Sequence, residues 1–138
     1  MSSSQRWPVS RRTADDRERG SAVVDFVLVG SLTTLLFAGM LQLTLAMHVR
    51  STLIDCAAEG ARYGALADRS PQEGEQRARD LIALSLAPRF TDDVEARTTT
   101  VGDLTVVEVT VRAPLPVLGL LGPGGTLVVS GHALEEGP

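Results

Sequence analysis

The junction between a charged N-terminal segment and a long apolar run holds the residues with the clearest chemical potential. Asp25 is the only charged residue from Ser21 to Met47, and Phe26 follows it. A carboxylate in a membrane helix costs up to about 2.5–3.5 kcal/mol at the bilayer centre and less near its surface. If the chain is cut between Gly20 and Ser21, a new α-amine with an ordinary pKa of about 8 lies four residues before Asp25. Residues four apart share a helix face, so this ammonium would neutralise Asp25 or the same carboxylate on an adjacent subunit.

A simpler interpretation of Asp25 stays open from the residues alone. The carboxylate would extend to the lipid headgroups, or it would interact with the positive end of a helix that begins nearby. This interpretation needs no cleavage of the chain.

The apolar run predicts a membrane helix. Phe26 to Met47 comprises 22 residues without a charge, and at about 1.5 Å per residue they span roughly 33 Å, enough to cross a hydrocarbon core of about 30 Å. The run is longer than the roughly 7–15 apolar residues of a cleaved secretory signal, and no A-x-A site ends it. Arg11-Arg12 is only faintly similar to a twin-arginine signal, because three acidic residues separate the pair from the run. We therefore expect a retained, single-pass membrane helix.

The distribution of charge predicts how the chain is oriented. Residues 1–20 carry five arginines and three acids, a net charge of +2, whereas the part from His48 onward carries eight arginines and thirteen acids, a net charge of −5. Positive flanks favour the cytoplasmic side, so we expect the N-terminus inside and the C-terminal part outside the cell membrane. The whole chain has a net charge of −4, which gives no basic surface for a nucleic acid.

These residues together resemble type IV prepilins, and specifically the TadE-like pseudopilins of the tight-adherence (Tad, or Flp) pilus system. The resemblance rests on a short charged leader that ends at Gly20, a small residue at Ser21, an acid at Asp25 and an aromatic at Phe26. It implies that a membrane prepilin peptidase removes residues 1–20 on the cytoplasmic side, and that the acid then guides subunit docking.

The resemblance also implies partners for the chain, and the chain differs from the family at two positions. The implied partners are a prepilin peptidase, other Tad pilins or pseudopilins, the inner-membrane assembly platform and lipid. Asp25 stands where the family usually has Glu, which shortens the reach of the carboxylate. Ser21 stands at the first mature position, so the N-methylation of a phenylalanine known in other pilins does not carry over.

The helix is expected to continue beyond the membrane, from Ser21 to about Ala67. Apolar residues recur at helical spacing, and no proline occurs between Ser21 and Pro71; the recurring residues are Val49, Leu53, Ala57, Ala61 and Ala65. Gly60 and Gly64 have the spacing of a helix-packing face, since small residues let backbones approach closely. Two partners for this face remain open, the protein's own sheet and neighbouring subunits.

The remaining residues predict a small α+β domain. Ser70-Pro71-Gln72-Glu73 is a capping box with Pro at the first helical position, and Pro88 ends the helix that follows. Strand patterns cover Val94 to Val101, Leu104 to Ala113 and Thr126 to Leu134, with Gly102-Asp103 as a hairpin turn and Gly119 to Gly125 within a loop. We expect an α+β fold, with a long N-terminal transmembrane helix, a second helix and an antiparallel sheet of about three strands.

The sequence gives little support for catalysis, a cofactor or a metal site. His48 and His132 are isolated, and Cys56 lacks a nearby His or an electropositive flank, so we interpret it as a packing residue, with an intermolecular disulfide as the alternative. Asp92-Asp93-Glu95 lacks the glycine and spacing of a calcium loop, which favours a solvated acidic run. We expect no enzyme, no cofactor and no metal site.

The sequence therefore predicts four segments. These are a cleaved cytoplasmic leader (1–20), a transmembrane helix (21–47), its continuation outside the membrane (48–69) and a small extracytoplasmic domain (70–138). Two functions stay open: a processed pseudopilin that acts in Tad pilus assembly or adhesion, and an uncleaved bitopic protein whose outer domain binds a partner.

Overall fold

The fold is taken from a computed structural model that describes residues 12–115 and 125–135, and only the backbone for residues 12–19. The first eleven residues of the expected leader, and all but Gly125 of the loop expected from Gly119, lie outside the described residues. Within the described ranges the order is two helices, one short 3-10 turn and three strands. The expected α+β fold with a long apolar N-terminal helix is confirmed.

The first helix, α1, spans Arg12–Gly64 and contains 53 residues. The expected boundaries of this helix were wrong at both ends. It begins nine residues before Ser21, in a segment whose acidic residues near the start favour the positive end of a helix. It ends at Gly64, three residues before Ala67. The chain that follows turns back onto this end, since a Cβ on Gly64 would lie 3.1 Å from the carbonyl oxygen of Ser70.

The chain divides into two compact units, Met1–Leu41 and Gln42–Pro138. The described part of the first unit is the N-terminal portion of α1. Every described side chain of this unit is exposed, including all of its large apolar ones. The second unit holds the rest of α1, the second helix and the sheet.

The second helix, α2, spans Pro71–Ser85 and begins at the predicted capping box. The Ser70 hydroxyl accepts a hydrogen bond from the Glu73 amide, and the Glu73 carboxylate accepts one from the Ser70 amide at 2.9 Å. Both groups would otherwise be unsatisfied at the helix start. Pro88–Phe90 then form a single 3-10 turn that inserts Phe90 into the core, a feature that the sequence patterns did not predict.

Three strands form one antiparallel sheet in the order β1-β2-β3. Strand β1 spans Asp93–Val101, β2 spans Leu104–Pro114 and β3 spans Thr126–Leu134. The turn between β1 and β2 is the predicted Gly102-Asp103 pair, where Gly102 adopts φ of +63°. Only glycine enters this left-handed region without a steric cost, so the residue type fixes the hairpin.

The core of the second unit lies between the two helices and one face of the sheet. The five residues that recur at helical spacing in the sequence are all buried: four lie in α1, and Ala65 directly follows it. The four residues of α1, which are Val49, Leu53, Ala57 and Ala61, pack with Ala78 and Ile82 of α2 and with alternate residues of the strands; the largest of these strand residues are Val94, Val109, Val111 and Val129. The alternation follows from the opposite directions of successive side chains in a strand.

Candidate processing and docking site

The N-terminal portion of α1 presents the predicted processing residues on an open surface. A Cβ on Gly20 would meet no other atom within 4 Å. Ser21 and Asp25 are exposed, and Phe26 is 79% exposed. In a helix, Ser21 and Asp25 lie one above the other, about 6 Å apart along the axis. The geometry thus leaves both the predicted cleavage point and the carboxylate accessible to another protein.

The apolar part of α1 has the properties of a membrane span. It is long and apolar enough to cross a bilayer, and its most apolar 18-residue stretch has a mean hydropathy of 1.9. No part of that stretch is buried in the protein. Hydroxyl groups along it donate to the carbonyl four residues earlier: Ser31 to Val27 at 2.6 Å and Thr34 to Gly30 at 2.8 Å. A hydroxyl that is satisfied within its own helix carries a smaller cost in lipid.

The position of Asp25 in α1 bears on its two interpretations. Because α1 begins at Arg12, Asp25 lies 13 residues inside the helix of the intact chain. The field of a helix terminus acts only within its first turn. In the intact chain Asp25 is therefore not at a helix end. Removal of residues 1–20 would place it in the second turn of a new helix, close to a new α-amine.

The predicted packing face of Gly60 and Gly64 lies against α2 of the same chain. A Cβ on Gly60 would come within 2.7 Å of the Ala78 Cβ and of the Gly74 carbonyl oxygen. A Cβ on Gly74 would come within 2.5 Å of the Gly60 carbonyl oxygen. Neither partner named by the sequence occupies this face, since the sheet instead meets α1 where Gly131 lies against Ala57 and Ala58. The glycines serve a close crossing of two helices within the second unit.

Cys56 belongs to the core of the second unit. It is 7% exposed and packs in the same cluster as Leu53 and Ala57. An intermolecular disulfide at Cys56 would require this core to open. The packing interpretation of Cys56 is the one that agrees with its burial.

The two histidines lie in different surroundings. His48 is exposed on α1. His132 lies on the outer face of the sheet, where its Nε2 is 3.2 Å from Glu108 Oε1. Arg97 donates to the same carboxylate at 2.6 Å. This hydrogen bond, together with the positive charge of Arg97, holds the pKa of Glu108 below its usual value.

The acidic run at the start of β1 is engaged by an arginine. Arg112 lies 3.2 Å from Asp93 and 3.1 Å from Glu95, and these two carboxylates raise the pKa of its guanidinium further. Two of the three acids that were weighed as cation ligands therefore already form ion pairs with a side chain of the neighbouring strand.

Sequence patterns missed a polar contact between α2 and the outer edge of β1. Glu75 accepts a hydrogen bond from the Ala96 amide at 3.0 Å, and Arg79 donates to the Val94 carbonyl at 2.8 Å. The two side chains also form an ion pair. Their i, i+4 spacing is visible in the sequence, but it is the same as that of an ordinary pair on a solvated helix surface.

Comparison with known proteins agrees with the expected resemblance. The family model described as TadE-like protein matches residues 20–62, which confirms the resemblance over that segment. The match begins at Gly20, includes Asp25 and the apolar run, and ends just before Tyr63. No curated protein and no solved structure matches the chain significantly.

Proposed function

From the match of residues 20–62 to TadE-like proteins, we propose that the chain is a pseudopilin-like component of Tad pilus biogenesis. In this proposal a prepilin peptidase removes residues 1–20, and the apolar part of α1 anchors the mature protein in the cell membrane with its C-terminal unit outside. The role is structural and non-enzymatic, in pilus assembly or adhesion. Its partners are other Tad pilins or pseudopilins and the inner-membrane assembly platform.

One observation carries the proposal: the family match starts at the residue where the charged leader meets the apolar run. Gly20 has open space around it, and Asp25 is the single charge in the exposed apolar segment that follows. A free carboxylate at this depth is costly in lipid unless a cation approaches it. An α-amine at Ser21, on the same or an adjacent subunit, is such a cation.

The experiment that tests the proposal is N-terminal sequencing. We expect the full chain, co-expressed with its cognate prepilin peptidase, to yield a mature protein that begins at Ser21. The control is the same chain with a catalytically inactive peptidase, which should retain residues 1–20. Recovery of chains beginning only at residue 1 or 2 in the presence of active peptidase would overturn the processing step.

The continuity of α1 favours a second candidate, an uncleaved bitopic membrane protein whose outer unit binds a partner. In α1 the Gly20–Ser21 bond lies inside a helix that runs from Arg12, so its amide groups belong to the helical hydrogen-bond ladder. A peptidase must open that ladder to reach the bond. The same sequencing experiment separates the candidates, because an uncleaved anchor keeps its first 20 residues under all conditions.

A further inference from the structure

The two outer edges of the sheet differ in how their main-chain hydrogen-bonding groups are satisfied. In antiparallel pairs, hydrogen-bonded residues alternate with residues whose amide and carbonyl point away from the partner strand. At one end of the ladder between β2 and β3 the Leu115 amide donates to the Gly125 carbonyl, and at the other end the Glu135 amide donates to the Thr105 carbonyl. Both hydrogen bonds are 3.0 Å long. Odd-numbered residues of β3 therefore bond to β2.

The even-numbered residues of β3 consequently direct their main-chain groups toward the open edge. They are Thr126, Val128, Ser130, His132 and Leu134, and their side chains lie on the outer face of the sheet. An average strand has about 5–6 residues. An edge with five outward residues is therefore long enough to pair with a strand of that length. Within the described residues, no hydrogen bond satisfies these outward groups.

The opposite edge is partly closed by α2. There the outward residues of β1 are the even-numbered ones, and the Ala96 amide and Val94 carbonyl bond to Glu75 and Arg79. Only Thr98 and Thr100 remain before the hairpin. Strand β1 also carries Asp93, Glu95 and Arg97, whereas β3 has no Asp, Glu, Lys or Arg from Thr126 to Leu134. Charges, proline and coverage are among the devices that keep sheet edges from pairing, and within residues 12–115 and 125–135 none of them protects β3.

The end of the β3 edge is flanked by apolar cavities on both faces of the sheet. One, of about 260 Å³, is lined by Ala65, Leu66, Ala133 and Leu134, with Arg62 at α1. The other, also of about 260 Å³, is open on the outer face and extends from Leu134 of β3 across Leu104 and Val106 of β2 to Val101 of β1. Successive side chains of a strand added at β3 would point to opposite faces. Of two consecutive apolar residues, one would thus point toward each cavity.

We propose that the β3 edge is a docking site for an extended segment of another protein, which adds as a fourth strand and directs two consecutive apolar side chains toward these cavities. Main-chain hydrogen bonds supply the affinity in this mode of binding, and the cavities supply the specificity. The surface lies outside residues 20–62 and does not depend on cleavage at Gly20.

A second copy of this chain fits the edge poorly. A Cβ on Gly131 would overlap the backbone of Ala57 and Ala58, so α1 lies directly above β3. Neighbouring strands are about 4.8 Å apart, whereas packed helices need about 8–10 Å between their axes. Pairing β3 with β3 would bring two copies of α1 too close together. A segment without a helix above it meets no such obstacle.

The test is photo-crosslinking of the full chain in its native membrane. With p-benzoylphenylalanine at Ser130, we expect adducts with another protein; the matched position Thr98 on β1 should give few. Moving the probe from Ser130 to Val128 or His132 should move the crosslinked site by two residues along one segment of that partner. Adducts at scattered positions, or with residues 126–134 of a second copy, would overturn the proposal.

Variants of Val128 test the main-chain contact directly. Val128→Pro removes an outward amide that β2 does not use, and proline is tolerated where a strand amide faces solvent. We expect at least a tenfold loss of the Ser130 adduct, whereas Val128→Thr and Thr98→Pro keep it within twofold. Equal adduct yields in all variants would overturn the proposal. If Val128→Pro does not fold, the two-residue movement of the crosslinks decides the question. Adducts that persist in an uncleaved chain would separate this site from the processing proposal.

Discussion

Asp25 is the residue at which the two candidate functions differ most. If it pairs with a mature α-amine during subunit docking, Asp25→Ala should leave membrane insertion and leader removal intact but impair assembly. Asp25→Asn should behave like Asp25→Ala because the charge is lost, and Asp25→Glu should be tolerated because it keeps the charge. The measurement is pilus yield and co-purification with assembly partners, at matched membrane levels of each variant.

The alternative role of Asp25 leads to a different result. Interaction with a helix terminus is worth only about 0.3–1 kcal/mol, and it predicts no defect in assembly for any of the three variants. In the intact chain this interaction is further weakened, since Asp25 lies 13 residues from the start of α1. Normal piliation with both Asp25→Ala and Asp25→Asn would exclude the docking role.

Glu108, on the outer face of the sheet, makes the free energy of unfolding depend on pH. Hydrogen bonding to Arg97 keeps the pKa of Glu108 below its ordinary value of 4.5 in the folded protein. Its contribution is therefore fully present above that ordinary value and is lost as the pH falls through the lower, folded-state pKa. We expect the free energy of unfolding to fall below about pH 4.5, and to fall less in Glu108→Gln.

The measurement is denaturant unfolding of the full chain in detergent from pH 6 to pH 3. The control is Glu135→Gln, because the Glu135 side chain forms no ion pair in the part of the chain that the structure describes. Glu73, whose pKa is lowered by its hydrogen bond to Arg69, remains in all variants, so the slope decreases without vanishing. An identical slope for Glu108→Gln and the unsubstituted chain would contradict this prediction.

At the scale of elements, α2 closes one edge of the sheet through Glu75 and Arg79. Glu75→Ala removes the acceptor of the Ala96 amide and leaves Arg79 without its ion-pair partner. An unsatisfied, partly buried donor costs about 1–3 kcal/mol. We expect Glu75→Ala to lower the free energy of unfolding by that amount, as measured by denaturant titration of the full chain.

The matched control for this prediction is Glu59→Ala. Glu59 forms an i, i+3 ion pair with Arg62 at 3.0 Å, and the two side chains are 46% and 67% exposed. Exposed pairs of this kind contribute about 0–1 kcal/mol. If the two substitutions cost the same, the Glu75 contact to β1 contributes no more than a surface ion pair.

At the scale of the whole molecule, the uneven charge predicts the orientation in the membrane. The positive leader and the acidic C-terminal part favour an N-terminus in the cytoplasm and a location of residues 49–138 outside it. We expect a reporter that is active only outside the cytoplasm to be active when fused after Pro138. The same reporter fused to a chain in which Phe26 to Met47 is deleted should be inactive. Protection of the C-terminal part from protease added to right-side-out spheroplasts would contradict this orientation.

Local features of the fold were predictable from the sequence alone. The capping box at Ser70, the hairpin turn at Gly102 and the alternating valines of β2 each depend on residues within a few positions of one another. The apolar run of α1 is equally local, since length and composition determine whether a helix can cross a bilayer. The residues that carry the TadE-like resemblance lie in one continuous segment for the same reason.

Only the tertiary structure decided which surfaces meet. The spacing of Gly60 and Gly64 indicates a close approach but not its partner, and the fold assigns Gly74 and Ala78 of α2 to that role. The Glu75–Arg79 pair looks like a solvated surface pair until the sheet places Val94 and Ala96 beside it. The open edge of β3 is likewise a property of strand order. Such contacts join residues distant in the chain, and hydrophobic periodicity records that a face is buried without recording what buries it.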